Sequence, residues 1–296
     1  KNLGNYVQTS EQTDDFRSFL AIPDMDSDAD TIPLPKTDRY EFKFENVSFR
    51  YPEQKDFALK NLNLTINAGK RLAVVGLNGA GKTTMIKLLL RLYDPTEGRI
   101  LLNGVDIRKY NRVEYFRLFS PVFQNVEIFA FPMAENVSMK TPNETDADKA
   151  YEKLVLAGLK EKVDSLKKGV QTELLKVLHD DGIDLSGGEK QKLALARALY
   201  KDAPVVVLDE PTAALDALAE YKLYMDFDKL IGNKTAVYIS HRLSSTRFCD
   251  NIALFKNGEM VEYGTHDELL SKNGDYAEMF RVQAQYYNDE AACALN

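Results

Sequence analysis

A glycine-rich stretch between an apolar strand and a helical run constrains this chain more than any other feature. Residues Gly76–Thr84 read GLNGAGKTT, after the apolar run Leu72–Val75 and before the helical run Met85–Leu92. Glycines let the backbone fold tightly, so that successive N–H groups point inward at an anion, and the helix N-terminus adds partial positive charge. This order of strand, loop and helix predicts a phosphate-binding loop, with a glycine-rich turn that binds nothing as the alternative.

The polar residues of the loop predict Mg-ATP as its ligand. The Lys82 ammonium is expected to reach the β- and γ-phosphates, so Lys82 is a predicted catalytic residue as well as a binding residue. The Thr83 hydroxyl is expected to ligate Mg²⁺. The predicted ATP-binding residues of the loop are Asn78, Gly79, Ala80, Gly81, Lys82, Thr83 and Thr84.

Two adjacent acids follow a second apolar strand. The run Val205–Leu208 is typical of a buried strand, and it is followed by Asp209 and Glu210 at the end where parallel sheets bind ligands. Adjacent carboxylates repel each other and lose solvation there, so we expect a cation nearby. We predict that Asp209 lies in the shell of groups around Mg²⁺. We predict that Glu210 activates the attacking water as general base. A solvated acidic turn before Pro211 is the alternative.

A second candidate anion site opens the helical run Lys190–Tyr200. Ser186 and Glu189, three residues apart, have the spacing of a capping box, which alone predicts only an ordinary helix start. Gly187 and Gly188 between them would expose backbone N–H groups at the helix N-terminus, which makes a phosphate receptor. One chain with one nucleotide does not need two such receptors.

These motifs in this order resemble the nucleotide-binding domain of ATP-binding-cassette (ABC) transporters, in particular the exporter type. The resemblance covers about Tyr40 to Tyr287. It implies that two domains pair head to tail, with each ATP between the phosphate loop of one and the serine-glycine signature of the other. The signature residues acting on the partner's ATP would be Ser186, Gly187, Gly188 and Glu189.

The resemblance also implies roles that residue spacing cannot assign. Tyr51 is similar to the aromatic residue that stacks on adenine, and Gln124 to the glutamine that contacts Mg²⁺ and senses the membrane domain. Asp216 resembles the residue of the loop that crosses the dimer interface, and His241 the switch histidine at the γ-phosphate. The last signature position is Glu189 where many members have glutamine, and Lys176–Gly182 differs from the usual exporter loop.

The predicted fold is α/β: a P-loop NTPase core with a mainly parallel sheet, an antiparallel β subdomain and an α-helical subdomain. Alternating runs predict strands over Tyr40–Phe44, Val47–Tyr51 and Leu62–Ile66, and Asn103-Gly104 predicts a tight hairpin turn. We expect the nucleotide-binding domain over residues 39–288, with helical residues at about 124–200. Residues 1–38 are expected to be a linker from a transmembrane domain, and residues 289–296 a tail.

Composition limits the partners. A net charge of -7 argues against nucleic acid. The two cysteines show no disulfide framework, which fits a reducing compartment. No apolar run approaches the roughly 20 residues of a membrane helix, and Lys at position 1 predicts a piece of a longer protein. We therefore expect a domain at the cytoplasmic face of the cell membrane, with a transmembrane domain and a second nucleotide-binding domain as partners.

Two alternative functions stay open at this point: the ATPase subunit of an ABC importer, and an ATP-binding regulatory half of a heterodimeric transporter. A soluble ABC ATPase that works on DNA or ribosomes would be expected to show coiled-coil heptads or a duplicated cassette, and the sequence has neither.

Overall fold

The computed structural model of this chain describes residues 31–177, 180–209, 232–240 and 243–293, with residues 13, 16–18 and 20. Within these ranges it has two β-sheets and a group of helices beside the larger sheet. This arrangement confirms the predicted fold class.

The smaller sheet is antiparallel and has the order β2-β1-β4-β5. Its strands are β1 (Phe42–Phe49), β2 (Leu59–Ile66), β4 (Glu97–Leu102) and β5 (Val105–Asp106). Asn103 and Gly104 join β4 to β5 with φ angles of 48° and 83°. Both angles are positive, as the tight hairpin turn predicted from the Asn-Gly pair requires.

Strand β1 corrects the predicted boundaries. The sequence predicts two strands, 40–44 and 47–51, whereas one strand runs through Phe42–Phe49. Its register shifts between Phe44 and Val47 opposite β2, and Asn46 has a φ of 49°. A bulge of this kind interrupts the alternation of apolar and polar residues without ending the strand. Opposite the bulge, a Cβ on Gly98 would lie 2.3 Å from the Asn46 carbonyl oxygen, so this position needs glycine.

The larger sheet has the order β10-β9-β3-β8-β7-β6 and is parallel except at β10. Its strands are β3 (Arg71–Gly76), β6 (Phe119–Val122), β7 (Val205–Asp209), β8 (Thr235–Ile239), β9 (Asn251–Lys256) and β10 (Glu259–Gly264). Every residue of β7 and β8 is buried. Continuous apolar runs are therefore the signal that identifies these strands, because parallel strands are covered on both faces.

The helices described from residue 31 onward fall into three groups. Helices α1 (Lys82–Leu89) and α2 (Arg112–Phe116) accompany the two sheets, and α7 (His266–Lys272) and α8 (Asp275–Cys293) close the chain. Between β6 and β7 lie α3 (Met133–Ser138), α4 (Ala147–Leu156), α5 (Lys160–Ser165) and α6 (Gly187–Lys201). Short 3₁₀ turns lie at Ile107–Lys109, Pro142–Glu144, Gly169–Gln171 and Leu243–Phe248. In the described part of the chain, no helix combines the length and apolarity needed to cross a membrane.

Two apolar clusters hold the site in place. One joins both sheets through α1, whose Met85, Ile86, Leu88 and Leu89 are completely buried. The other joins α3–α6 to the larger sheet through Val206 and Leu208 of β7. The loop before α1 is therefore anchored at both ends in one core, and the start of α6 is supported by the other.

Candidate functional site

The glycine-rich loop leaves β3 and enters α1 through backbone angles that favour glycine. Gly76 has a φ of 144°, and a Cβ there would lie 2.2 Å from the Phe255 carbonyl oxygen of β9. Gly81 has a φ of 103°, and its Cβ would lie 2.8 Å from the Ala58 carbonyl oxygen. Gly79, in contrast, has a φ of 77° and no atom within 4 Å of the Cβ position. The loop is thus tightly packed at its two ends and open at its tip.

A cavity of about 510 Å³ lies over the open side of the loop. It is lined by all nine predicted ATP-binding residues together with Ala58, which the sequence reading missed. The lining residues are Tyr51, Ala58, Asn78, Gly79, Ala80, Gly81, Lys82, Thr83, Thr84 and Gln124. Residues from three separate parts of the chain therefore meet at one site.

Lys82 lies inside the loop rather than in solvent. It is 4% exposed, and its Nζ donates to the Gly76 carbonyl oxygen at 2.8 Å and to the Leu77 carbonyl oxygen at 3.1 Å. The loop thereby holds the ammonium group against the cavity that it lines. A buried ammonium with carbonyl partners suits a site for a multiply charged anion, because a phosphate oxygen gives a stronger, charge-assisted bond.

Thr83 and Asp209 bring the loop and the acidic strand end together. The Thr83 hydroxyl donates to Asp209 Oδ1 across 3.5 Å, and Asp209 is 4% exposed. In the sheet β7 lies two strands from β3, with β8 between them. A hydroxyl and a carboxylate at this corner are oxygen donors of the kind that Mg²⁺ prefers.

Tyr51 forms one wall of the cavity from the opposite side. Its hydroxyl lies 3.1 Å from Thr84 Oγ1, where either oxygen can be the donor. Its ring meets the rings of Phe49 and Tyr93 edge-on, with centroids 5.0 and 5.4 Å away. These contacts fix the plane of the Tyr51 ring beside the loop.

The turn between β9 and β10 supports the loop from behind. The Gly258 N–H donates to the Ala80 carbonyl oxygen at 3.1 Å, and the Gly258 carbonyl accepts from the Lys60 N–H at 2.8 Å. Asn257 and Gly258 form this turn with φ angles of 53° and 83°, as an Asn-Gly pair favours, but the pair gives no sign of what the turn contacts. Those partners are distant in sequence, so residue patterns could not locate them.

The signature begins α6 as an exposed corner. Ser186 is its N-cap: Ser186 Oγ accepts from the Glu189 N–H at 3.3 Å, and Glu189 Oε2 accepts from the Ser186 N–H at 2.8 Å. Lys162 Nζ lies 3.1 Å from Glu189 Oε1. Burial raises the pKa of Glu189, but the Ser186 N–H and Lys162 outweigh it and hold the pKa below its ordinary value. The capping box predicted from the Ser186–Glu189 spacing is present.

The signature does not share the cavity of the loop in the same chain. Among the described residues, Gly187 instead lines a neighbouring cavity of about 490 Å³ together with Gln124. Gln124 lines both cavities and is therefore the predicted site residue that connects them. Ser186 and Gly187 are exposed, so both are accessible to a second molecule.

Three predicted site residues, Glu210, Asp216 and His241, lie outside the described residues. The unusual segment Lys176–Gly182 is described except at residues 178–179. It is flanked by a bridge between Leu174 and Ile183, and Asp181 forms a salt bridge with Lys168 at 2.7 Å. The segment therefore lies beside α5 and the turn that follows it.

Strand, glycine-rich loop, buried lysine and strand-end aspartate together define a P-loop nucleotide-binding domain. A family model described as "ABC transporter" matches residues 59–213, a span that includes the loop, the signature and β7. The chain belongs to the ABC transporter family, and it is a nucleotide-binding domain of the exporter type, as the relatives below indicate.

Several curated relatives carry the name "ATP-dependent lipid A-core flippase". The one from Salmonella typhimurium is 37% identical over 82% of this chain and 41% of its own length. That from Cupriavidus pinatubonensis is 41% identical over 81% of this chain and 40% of its own length. The solved structure of a bacterial Atm1-family ABC exporter with ATP bound is 33% identical, with a TM-score of 0.76 over 86% of this chain and 44% of that chain. This chain thus spans about two fifths of the length of the curated relatives it matches.

Proposed function

We propose that this domain binds and hydrolyses Mg-ATP to power export of a substrate across a membrane. The observation that carries the proposal is the single cavity where the glycine loop, Tyr51 and Gln124 meet. Relatives named as a flippase and an exporter support the direction of transport and do not favour the importer or regulatory alternatives.

ATP binding is assigned to the lining of this cavity. The loop amides and the N-terminus of α1 would hold the phosphates, and the Lys82 ammonium would contact their β- and γ-oxygens. The fixed ring of Tyr51 would stack on adenine. Because Gly79 has open space at its Cβ position, the loop backbone can approach a ligand closely there.

A cation fits the corner formed by Thr83 and Asp209. The Thr83 hydroxyl and the Gln124 side chain would be ligands, with Asp209 in the surrounding shell, and phosphate oxygens would complete the coordination. Bound Mg²⁺ would neutralise charge that develops on the phosphates during transfer. Thr83 Oγ1 and Asp209 Oδ1 are 3.5 Å apart, so both oxygens are close enough to interact with the same ion.

Hydrolysis is assigned to Glu210, which follows the buried Asp209 directly, as general base for the attacking water. His241, at the γ-phosphate, would position this water together with Glu210, and Lys82 would stabilise the charge that develops on the phosphate. Phosphoryl transfer depends on positioning and charge stabilisation more than on covalent chemistry, which is what these residues would supply from one side of the nucleotide.

A second nucleotide-binding domain would complete the site. The exposed corner of Ser186, Gly187, Gly188 and Glu189 would contact the γ-phosphate of the ATP held by the partner, and Asp216 would lie in the loop that crosses the interface. A transmembrane domain would convert closure and reopening of the pair into transport. The domain would then work at the cytoplasmic face of the cell membrane.

The Glu210→Gln variant tests this function. Loss of the general base is expected to slow steady-state hydrolysis by about 10²- to 10⁴-fold, while ATP binding is retained. With hydrolysis blocked, Mg-ATP is expected to hold the purified chain as a dimer in size-exclusion chromatography. Near-normal hydrolysis by Glu210→Gln would show that Glu210 is not the general base. Absence of an ATP-dependent dimer would contradict an ATP site that is shared between two domains.

A further inference from the structure

The backbone just after the predicted switch residue His241 is bonded to the C-terminal helix. His241 itself lies outside the described residues, and the described chain resumes at Leu243. The Leu243 N–H donates to Gln283 Oε1 of α8 at 2.9 Å, although the two residues are 40 positions apart. Gln283 therefore connects the last helix of the domain to the segment that follows His241.

The Leu243 carbonyl oxygen is bonded to the same helix through one further residue. It accepts from the Thr246 hydroxyl at 2.6 Å, and Thr246 Oγ1 lies 2.9 Å from the Tyr276 hydroxyl of α8. Because a hydroxyl has a single proton, Tyr276 donates to Thr246, and His266 Nδ1, 2.8 Å from the Tyr276 oxygen, donates to Tyr276. Both polar backbone groups of Leu243 are thus bonded to α8, directly or through Thr246.

Apolar packing fixes the side chain of Leu243 as well. Leu243 is completely buried. It belongs to an apolar cluster with Tyr276 of α8 and with Ala73 and Val75 of β3. Since β3 leads into the phosphate loop, Leu243 packs against the strand that positions the loop.

Helix α8 also borders the phosphate loop itself. A cavity of about 450 Å³ lies between the loop and α8, and Gln283 lines it from the helix. Asn78, Gly79 and Ala80 line both this cavity and the ATP cavity. Gln283 therefore lies on the side of α8 that faces the phosphate loop.

The chain on both sides of His241 is attached beside the loop. Ser240, the residue before His241, donates its N–H to the Val74 carbonyl oxygen of β3 at 3.4 Å. Consecutive Cα atoms are about 3.8 Å apart, so covalent connectivity alone keeps the Cα of His241 within about 8 Å of that of Leu243. A shift of Leu243 would therefore be transmitted to His241 through two peptide bonds.

We propose that Gln283 is a positioning residue for ATP hydrolysis, because it holds the segment that follows His241. This inference rests on the proposed function, in which His241 helps to position the attacking water. Phosphoryl transfer depends strongly on such positioning. Without the Gln283 oxygen, the N–H of the buried Leu243 would lose its partner, and the segment would be free to shift.

Two substitutions of Gln283 separate its hydrogen bond from its packing. Gln283→Met keeps the length of the side chain without a strong acceptor, whereas Gln283→Glu keeps an acceptor oxygen. We expect Gln283→Met to lower kcat by about 10- to 100-fold with little change in ATP affinity, and Gln283→Glu to retain most of the activity. In hydrogen–deuterium exchange, the peptide that contains Leu243 should exchange faster in Gln283→Met. Gln285→Met, the same substitution at an exposed position of α8, should change neither measurement.

A double variant connects the effect to His241. Gln283→Met should lower the single-turnover rate no further in a His241→Ala background, with thermal unfolding used to show that each variant is folded. Unchanged kcat in Gln283→Met, full additivity with His241→Ala, or an equal loss in Gln283→Glu would each overturn the inference. Failure of the proposed function looks different: the original chain would not hydrolyse ATP, or Glu210→Gln would hydrolyse it normally.

Discussion

The hydroxyl of Thr83 lies 3.5 Å from Oδ1 of Asp209, although the two residues are 126 positions apart in the chain. This approach joins the first turn of the helix after the phosphate loop to the carboxyl end of β7. Parallel strands place their carboxyl ends at one edge of the sheet, which is where ligands bind in such folds. The contact therefore gives the proposed magnesium corner a geometric basis that neither motif has alone.

Changing Asp209 tests that corner directly. Asp209→Asn keeps the shape of the side chain but removes its charge, so we expect half-maximal hydrolysis to need about 10- to 100-fold more Mg²⁺. Thr83→Val should have a similar effect, whereas Thr83→Ser, which keeps the hydroxyl, should not. Magnesium titrations of ATP turnover at saturating ATP provide the measurement. An unchanged magnesium requirement in Asp209→Asn would show that the Asp209 carboxylate does not contribute to Mg²⁺ binding.

Tyr51 allows the stacking role to be separated from the hydrogen bond to Thr84. Tyr51→Ala should weaken ATP binding by roughly 1–3 kcal/mol, since it removes the aromatic face beside the base. Tyr51→Phe keeps the ring and should bind ATP nearly as well as the original chain. Inorganic tripolyphosphate, which has no base, is the matched ligand in calorimetric titrations. If Tyr51→Ala weakens both ligands equally, the ring acts by packing alone.

The glycines of the loop differ in what surrounds them. Gly79→Ala should destabilise the domain by about 1–2 kcal/mol, the usual cost of a positive φ in a residue with a Cβ. Gly76→Ala should cost clearly more, because its Cβ would lie 2.2 Å from the Phe255 carbonyl oxygen and β9 must move. Denaturant unfolding monitored by circular dichroism compares the two. Equal losses of unfolding free energy in the two variants would show that the backbone at Phe255 can move at little energetic cost.

The loop, the signature and β7 could be predicted because each has its signal in a few consecutive residues. The cavity lining also includes Ala58, and the loop is supported by Phe255 and Gly258, which residue patterns did not connect to it. Those contacts depend on how distant strands register in space. The bulge at Asn46 was misread for a related reason, since a bulge breaks alternation locally just as a strand end does. The roles of Glu210, Asp216 and His241 stay predictions.

The position of Glu189 at the end of the signature predicts a pH-dependent contribution to stability. The Ser186 N–H and Lys162 outweigh the effect of burial and hold the Glu189 pKa below its ordinary value of 4.5. The folded state therefore favours the ionised carboxylate more than the unfolded state does. The resulting stabilisation is fully present above pH 4.5 and is lost as the pH falls through the lower folded pKa.

Glu189→Gln isolates this contribution, because glutamine can keep the capping box but not the charge. At pH 7 we expect the variant to be less stable by at most about 1 kcal/mol, the usual worth of a partly exposed ion pair. Below the folded pKa of Glu189 the two proteins should unfold at the same denaturant concentration. Lys162→Met should remove much of the difference at pH 7, since it deletes the cation 3.1 Å from Glu189 Oε1. A difference that persists unchanged in acid would show that the glutamate acts through packing rather than charge.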